Sequence, residues 1–88
     1  MKIYEVTTIK LRQNGEFGDE FQTYFGFDFE EAKTAKELAL AGFNALTAYD
    51  QAHSTVEARV YNIADDTDGT DPDAIIEAVC ECGGYDLF

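Results

Sequence analysis

Residues 28–49, DFEEAKTAKELALAGFNALTAY, predict a long amphipathic helix. Asp28 stands at an N-cap position, and Glu31 completes a capping-box pattern that also brings acids into the first helical turn. The apolar residues recur at helical spacing and form one stripe. The stripe consists of Ala35, Leu38, Ala39, Gly42, Phe43, Leu46 and Tyr49. We therefore expect one helix that packs on a sheet through this stripe.

The residues before the helix predict a β-hairpin. Residues 3–12 are rich in β-branched side chains, and their apolar phase slips across Thr7 and Thr8, which indicates a β-bulge. Residues 14–19, NGEFGD, form the expected loop, and the aromatic run 21–27 forms the second strand. The phenylalanines are expected in the core by ordinary burial preference. They are Phe21, Phe25, Phe27, Phe29 and Phe43.

The residues after the helix predict a third strand and a second helix. Apolar and polar residues alternate over 56–61. Asp71 and Pro72 then form a strong helix start, and Gly83 with Gly84 a helix stop, about ten residues apart. The expected inner face of this helix is Ile75, Ile76, Val79 and Cys80, and the tail 85–88 is apolar enough to dock back.

The resulting order, β-β-α-β-α, predicts a single α+β domain over residues 1–88. The third strand is expected beside the first, which gives a three-stranded antiparallel sheet in the order 2-1-3. The long helix covers one face, and the short C-terminal helix remains to be placed. If it leaves the other face open, the polar positions form a surface there. They are Glu5, Gln22, Tyr24, Glu57, Arg59 and Tyr61.

The charge of the chain is strongly negative and unevenly distributed. There are 18 acidic and 6 basic residues, for a formal net charge of -12. All the basic residues lie at or before Arg59, and eight acids follow it. Such a chain repels nucleic acid and anionic membranes but attracts basic protein surfaces. With 45% hydrophobic and 14% aromatic residues, it has enough apolar material to fold.

The sequence predicts a cytoplasmic protein with no membrane contact. No apolar run approaches the roughly 18 residues that a membrane span needs, and the N-terminal residues read as a strand. Cys80 and Cys82 would point about 200° apart on a helix, which is a poor geometry for a disulfide. We expect them to remain thiols in a reducing compartment.

No combination of residues indicates an enzyme or a bound cofactor. His53 has no serine or cysteine partner in a nucleophile motif. Together with Cys80 and Cys82 it offers only three zinc ligands at unsuitable spacing. No glycine loop precedes a helix in the way that phosphate binding requires. We therefore expect a protein that acts by binding, with no cofactor and no metal.

The loop 65–71, DDTDGTD, is the stretch that most suggests chemistry. Clustered carboxylates around a glycine suit a hard cation such as calcium. Counted from Gly69 as the sixth position, however, an EF-hand loop would begin at Ala64 and end at Ile75, and neither is a ligand. We interpret the loop as a solvated acidic segment, and a weak divalent-cation site remains an alternative.

The second helix carries a row of acids that we call the acidic rib: Asp73, Glu77 and Glu81. At four-residue spacing their carboxylates lie about 6 Å apart along the helix, on the same scale as the phosphates of a nucleic-acid strand. No base neutralises the rib, and Glu81 lies where the helix dipole disfavours an anion.

Tyr24 and Tyr61, on the polar phase of their strands, are further interface candidates. The predicted partner-binding residues are Asp65, Asp66, Asp68, Asp71, Asp73, Glu77, Glu81, Tyr24 and Tyr61.

In size, charge and acidic rib the chain resembles, at the level of class, the small acidic anti-CRISPR and DNA-mimic proteins of phages and mobile elements. The resemblance implies a non-enzymatic inhibitor whose carboxylates stand in for phosphates. Such a protein presents them to the basic nucleic-acid-binding site of a partner, for example a host defence protein, and binds no nucleic acid itself. The alternative is a structural or regulatory module, as a monomer or as a homodimer formed through an exposed strand edge or a Tyr24/Tyr61 face.

Overall fold

The computed structural model describes residues 1–88 and combines one antiparallel sheet with three helices. In chain order the elements are β1 (Lys2–Leu11), β2 (Phe17–Gly26), α1 (Phe29–Asn44), α2 (Ala48–Ala52), β3 (Ser54–Asn62), α3 (Pro72–Glu81) and β4 (Asp86–Leu87). The strands lie in the order β2-β1-β3-β4, and every neighbouring pair is antiparallel. The predicted α+β class and antiparallel sheet are confirmed.

The prediction of three strands is wrong, because the C-terminal tail adds a fourth. The tail does dock back, and it does so through its main chain: Asp86 pairs with Val60 and Leu87 with Arg59. The main-chain nitrogen of Phe88 donates to the oxygen of Ala58 at 3.0 Å. A strand of two residues has no alternation, so no sequence pattern could reveal it.

The long helix begins as predicted but ends earlier. The Asp28 carboxylate accepts hydrogen bonds from the nitrogens of Glu30 and Glu31, as an N-cap should. The helix stops at Asn44, and Thr47 then caps the separate short helix α2 by accepting from the nitrogen of Asp50. The single helix expected to reach Tyr49 is therefore two helices.

The buried stripe of α1 is narrower than its apolar residues suggest. Ala32 is fully buried, and Ala35, Ala39 and Phe43 are partly buried along the same side. Leu38, in contrast, is 70% exposed. Three other members of the predicted stripe are also exposed: Gly42, Leu46 and Tyr49. Three alanines and Phe43 thus form the buried side of α1, and Leu38 faces solvent.

The predicted bulge is present, but its extra residue lies on β2. β1 pairs with β3 without interruption from Lys2 to Lys10. Against β2 the register shifts between Val6 and Thr7, which leaves Thr23 without a cross-strand partner. The Thr23 hydroxyl donates to the main-chain oxygen of Val6 at 3.0 Å. The bulge interrupts the edge strand and leaves the central pair regular.

The two faces of the sheet are covered by different helices. On the α1 side, Val6 and Ala58 are buried beside a cluster of aromatic rings. That cluster consists of Tyr4, Phe29 and Phe88, whose ring centroids lie 5.4 to 5.6 Å apart. On the other side, α3 packs Ile75 against Ile3, Tyr61 and Ile63.

The bounds of α3 agree with the prediction, but its inner face is rotated. Asp71 caps the helix, which runs from Pro72 to Glu81. Ile75 and Val79 face the sheet as expected, together with Ala78 and Cys82. Ile76, however, is 57% exposed and Cys80 is exposed, so their predicted places in the core are wrong. In so short a helix the sequence permits two apolar faces, one that includes Ile76 and Cys80 and one that includes Ala78 and Cys82. Packing against Ile3 and Tyr61 selects the second face.

The phenylalanines are also more exposed than predicted. Phe21, Phe27 and Phe29 are between 40% and 49% exposed, and Phe25 and Phe43 are partly buried. None is fully buried, because a chain of this length encloses little interior. The fully buried positions are instead occupied by smaller residues such as Ile3 and Val6.

Candidate functional site

A groove of about 420 Å³ lies between α3 and the loop that leads into it. Four of the ten residues that line it are acidic: Asp66, Asp68, Glu77 and Glu81. No lysine or arginine lines it. We call this feature the acidic groove. The fold thus brings two carboxylates of the loop and two of α3 onto one concave surface.

Hydrogen bonds within the loop fix the position of Asp68. Its carboxylate accepts from the main-chain nitrogen of Thr70 at 2.9 Å and from the Thr70 hydroxyl at 2.6 Å. The hydroxyl bond, followed by the main-chain bond, lowers the pKa of Asp68 because both stabilise the charged form. Asp68 therefore remains an anion in a defined place on the groove wall.

Three of the acids predicted from the sequence do not line the acidic groove. Asp65 pairs with the N-terminal ammonium of Met1, and this hydrogen bond lowers the pKa of Asp65. Asp71 caps α3 by accepting from the nitrogen of Asp73 at 3.1 Å. Asp73 itself lies on the exposed first turn of α3. Asp65 and Asp71 therefore form intramolecular contacts outside the groove, and Asp73 extends the rib beyond it.

Tyr24 and Tyr61 do not share a face, so the predicted Tyr24/Tyr61 surface is wrong. Tyr24 is opposite Val6 and Tyr61 is opposite Ile3. Positions 3 and 6 of one strand point to opposite sides. Tyr61 is buried in the core beneath α3. The Tyr24 hydroxyl is bonded to the main chain of Asp28 at the start of α1. The bulge shifts the register of β2, and this register determines which face of the sheet Tyr24 lies on.

A cluster of ions on the α3 face of the sheet is the second notable arrangement. Arg59 is only 13% exposed, and one of its terminal nitrogens lies 3.2 Å from Glu5 and 3.0 Å from Glu20. The other terminal nitrogen lies 2.6 Å from Glu57. Burial opposes the charge of Arg59, but the hydrogen bonds to its partners outweigh burial and raise the pKa of its guanidinium. One cation thereby joins three strands.

Neighbouring polar groups complete this cluster around Glu5. The Glu5 carboxylate accepts from the hydroxyl of Tyr61 at 3.0 Å and from the side-chain amide of Gln22 at 2.7 Å. The ring of Tyr85 stacks against Arg59, 4.8 Å from the guanidinium carbon. Burial raises the pKa of Tyr61; Arg59 opposes this shift, and the hydrogen bond to Glu5 and the charge of Glu5 add to it. The side chains of this cluster bond to one another, so its geometry indicates that it holds the strands together.

Most residues of this cluster were predicted from the sequence, but Glu20 was not. Glu5, Gln22, Glu57, Arg59 and Tyr61 were all predicted on a polar face if α3 left it open, and α3 covers only part of that face. Glu20 is two residues from Gln22 and so shares its side of the strand, a signal that alternation offers. Its contact with Arg59 crosses β1, which only the strand order reveals.

No helix is both long and apolar enough to cross a membrane. No group of three or more histidine, cysteine, aspartate or glutamate residues is arranged to hold a metal ion. No protein-family model, curated protein or solved structure matches the chain.

Proposed function

We propose that the chain binds a basic protein surface through the acidic groove and the acidic rib, and thereby occupies a site that otherwise binds nucleic acid. The observation that carries this proposal is the convergence of Asp66, Asp68, Glu77 and Glu81 on one groove that no basic side chain lines. Clustered charge of one sign in a concave site focuses the electrostatic field and attracts the opposite charge. Lysine and arginine side chains are the matching groups.

The geometry of α3 supports a comparison with a nucleic-acid strand. Asp73, Glu77 and Glu81 follow one another at four-residue intervals, so their spacing is about 6 Å. All of them are exposed and none forms an ion pair. A protein that binds phosphates with lysine and arginine would meet carboxylates at comparable separations. The resemblance to acidic DNA-mimic proteins implies the same mode of action.

The experiment that tests this function combines capture, competition and charge reversal. The immobilised protein is exposed at low salt to a lysate of bacteria that carry defence systems, and the retained proteins are identified by mass spectrometry. We expect a nucleic-acid-binding protein to be retained and to be released by duplex DNA or by added salt. The variant E77K/E81K should lose this retention.

The matched control is the variant E16K/E37K, which changes the net charge equally at exposed acids on the hairpin loop and on α1. It should retain the partner as the native chain does. Equal loss in both double variants would mean that only the total charge matters. The proposed function would be refuted if E77K/E81K still retained the partner, or if DNA did not release it. It would also be refuted if no protein were retained.

A second candidate function rests on the edge of the sheet. β2 pairs only with β1, so its ten residues leave one row of main-chain groups unpaired. An open edge of this kind favours pairing with a second copy, which would make the chain a homodimeric module. Sedimentation equilibrium at high salt, where the repulsion between two acidic copies is screened, tests this: a monomer at all concentrations would refute it.

A further inference from the structure

An apolar groove lies on the opposite side of α3 from the acidic groove. It consists of two hollows, of about 210 and 280 Å³, that meet at Phe25 and Ile76. Pro72 lines the hollow near the start of α3, and Val79 lines the hollow further along it. Ile76 is 57% exposed at the junction. α3 is thus a ridge between an apolar groove on the β2 side and an acidic groove on the loop side.

The acidic rib runs along α3 beside the apolar groove, and none of its three carboxylates lines either hollow. Asp73 is three residues before Ile76 and Cys80 is four residues after it, so both are neighbours of Ile76 on the helix surface. Glu77 is the next residue around the helix, and with Glu81 it also lines the acidic groove. Apolar and anionic surfaces therefore run side by side along α3 for about 15 Å, given the rise of a ten-residue helix.

We propose that this double surface binds a basic amphipathic helix of the partner, with apolar side chains in the groove at Phe25 and Ile76 and basic side chains on the acidic rib. This inference rests on the proposed function and names the chemistry of the partner. Charge complementarity selects the occupant: a second copy of this chain, with a net charge of -12, would be repelled.

The shape of the surface favours a helix over an extended segment. A helix presents an apolar stripe and a basic stripe to the same side along its whole length. A strand presents its side chains to one side as a single row, so it could not place an apolar row beside a parallel basic row. About three turns of helix match the length of α3. Apolar anchoring also distinguishes this partner from a surface that recognises phosphate alone.

The test uses two labelled synthetic peptides of equal length and equal charge. In the first, leucines form one helical stripe among lysines; in the second, alanines replace those leucines, which keeps the helix propensity high. Binding is followed by fluorescence anisotropy at low salt. We expect the leucine peptide to bind at least about tenfold more tightly, as burial of one or two leucine side chains implies.

Two pairs of variants identify which surface is responsible. Ile76→Ser should abolish the preference for the leucine peptide, whereas Leu38→Ser, at a more exposed apolar position on α1, should leave it unchanged. E77K/E81K should weaken both peptides, and E16K/E37K should weaken them much less. Circular dichroism of each variant checks that it folds.

The outcomes separate this inference from the proposed function. Equal binding of the two peptides, or a preference that survives Ile76→Ser, would overturn the apolar anchor while leaving the charge-based function in place. If E77K/E81K and E16K/E37K weaken binding equally, or if neither peptide binds at low salt, both proposals fail. Loss of the leucine preference in Ile76→Ser alone, with binding of the alanine peptide unchanged, supports the inference.

Discussion

The hydroxyl of Tyr24 lies 3.2 Å from the main-chain nitrogen of Asp28 and 3.1 Å from its main-chain oxygen. It accepts a hydrogen bond from the nitrogen, the role that the side chain at Glu31 would have in a capping box. Glu31 instead approaches the same hydroxyl at 3.4 Å. The strand β2 and the start of α1 are therefore joined through one phenol.

The first prediction concerns this phenol. Tyr24→Phe removes the hydroxyl and keeps the ring, so we expect the free energy of unfolding to fall by about 1 kcal/mol, as for one net hydrogen bond. Tyr49→Phe is the control, because the Tyr49 hydroxyl is exposed and forms no hydrogen bond. Urea denaturation measures both. Equal stability of the two variants would show that the Tyr24 contacts contribute nothing.

The second prediction concerns Arg59. Arg59→Met leaves Glu5, only 13% exposed, close to two other carboxylates without their shared cation. We expect a loss of about 3 kcal/mol in unfolding free energy, as when one partner of a buried pair is removed. Arg12→Met, at an exposed arginine without an ion pair, should cost much less.

A double variant separates the ion pairs from the packing of Arg59. Adding Glu5→Gln to Arg59→Met should recover part of the loss, because the neutral amide no longer needs a cation. If Arg59→Met costs no more than Arg12→Met, the ion pairs of Arg59 contribute nothing measurable to stability.

The third prediction is a pH dependence at Asp68. Its pKa in the folded protein lies below the ordinary value of 3.8, so its hydrogen bonds to Thr70 stabilise the loop at pH values above 3.8. That contribution disappears as the pH falls through the lower folded pKa.

Thr70→Val removes the hydroxyl and should raise the pKa of Asp68 toward 3.8. Thr67→Val, at a neighbouring threonine, should not. Carbon-detected NMR titration of the carboxyl group measures both, and an unchanged midpoint in Thr70→Val would contradict the assignment.

The helix boundaries set by local chemistry were predictable, and the features set by cross-strand register were not. Asp28, Asp71 and Pro72 act within three residues of their own positions, so their roles could be predicted from the sequence. The side of the sheet that Tyr24 faces depends on the bulge at Thr23, and the fourth strand depends on where the tail meets β3. Both are properties of tertiary pairing, which periodicity in one segment does not contain.

The candidate site divides in the same way. The acidic rib followed from a four-residue repeat along one helix. The acidic groove did not, because it needs Asp66 and Asp68 from the loop to meet Glu77 and Glu81 from α3. The apolar groove was hidden for a different reason: Ile76 was expected in the core. Its exposure became apparent only when packing fixed the rotation of α3.

The fourth prediction tests that rotation. Ile75 is buried against Ile3 and Tyr61, so Ile75→Ala should lower the unfolding free energy by about 3 kcal/mol through lost burial and the cavity left behind. Ile76→Ala, at a side chain that is 57% exposed, should change it by less than about 1 kcal/mol. Thermal or urea unfolding distinguishes them. Similar losses in both variants would mean that α3 packs with the rotation expected from the sequence.

The fifth prediction asks whether acidity at the end of α3 serves folding. Glu81→Lys places a cation at the helix C-terminus and removes repulsion from Glu77, so the unfolding free energy should rise by about 0.5 to 1 kcal/mol at low salt. Asp73→Lys changes the net charge equally and also relieves Glu77, but it places the cation in the first turn, where the dipole disfavours it. Its effect should therefore be smaller or opposite in sign.

The difference between these two variants isolates the position of the charge from its amount, and it should shrink as salt is added. If Glu81→Lys is more stable than the native chain and also binds the captured partner or the leucine peptide less well, then this carboxylate costs stability and contributes to binding. A residue with that balance is explained by recognition of a basic surface and not by folding. If both variants change the unfolding free energy equally, the helix dipole does not contribute. The position of Glu81 at the helix C-terminus would then be no argument for a role in binding.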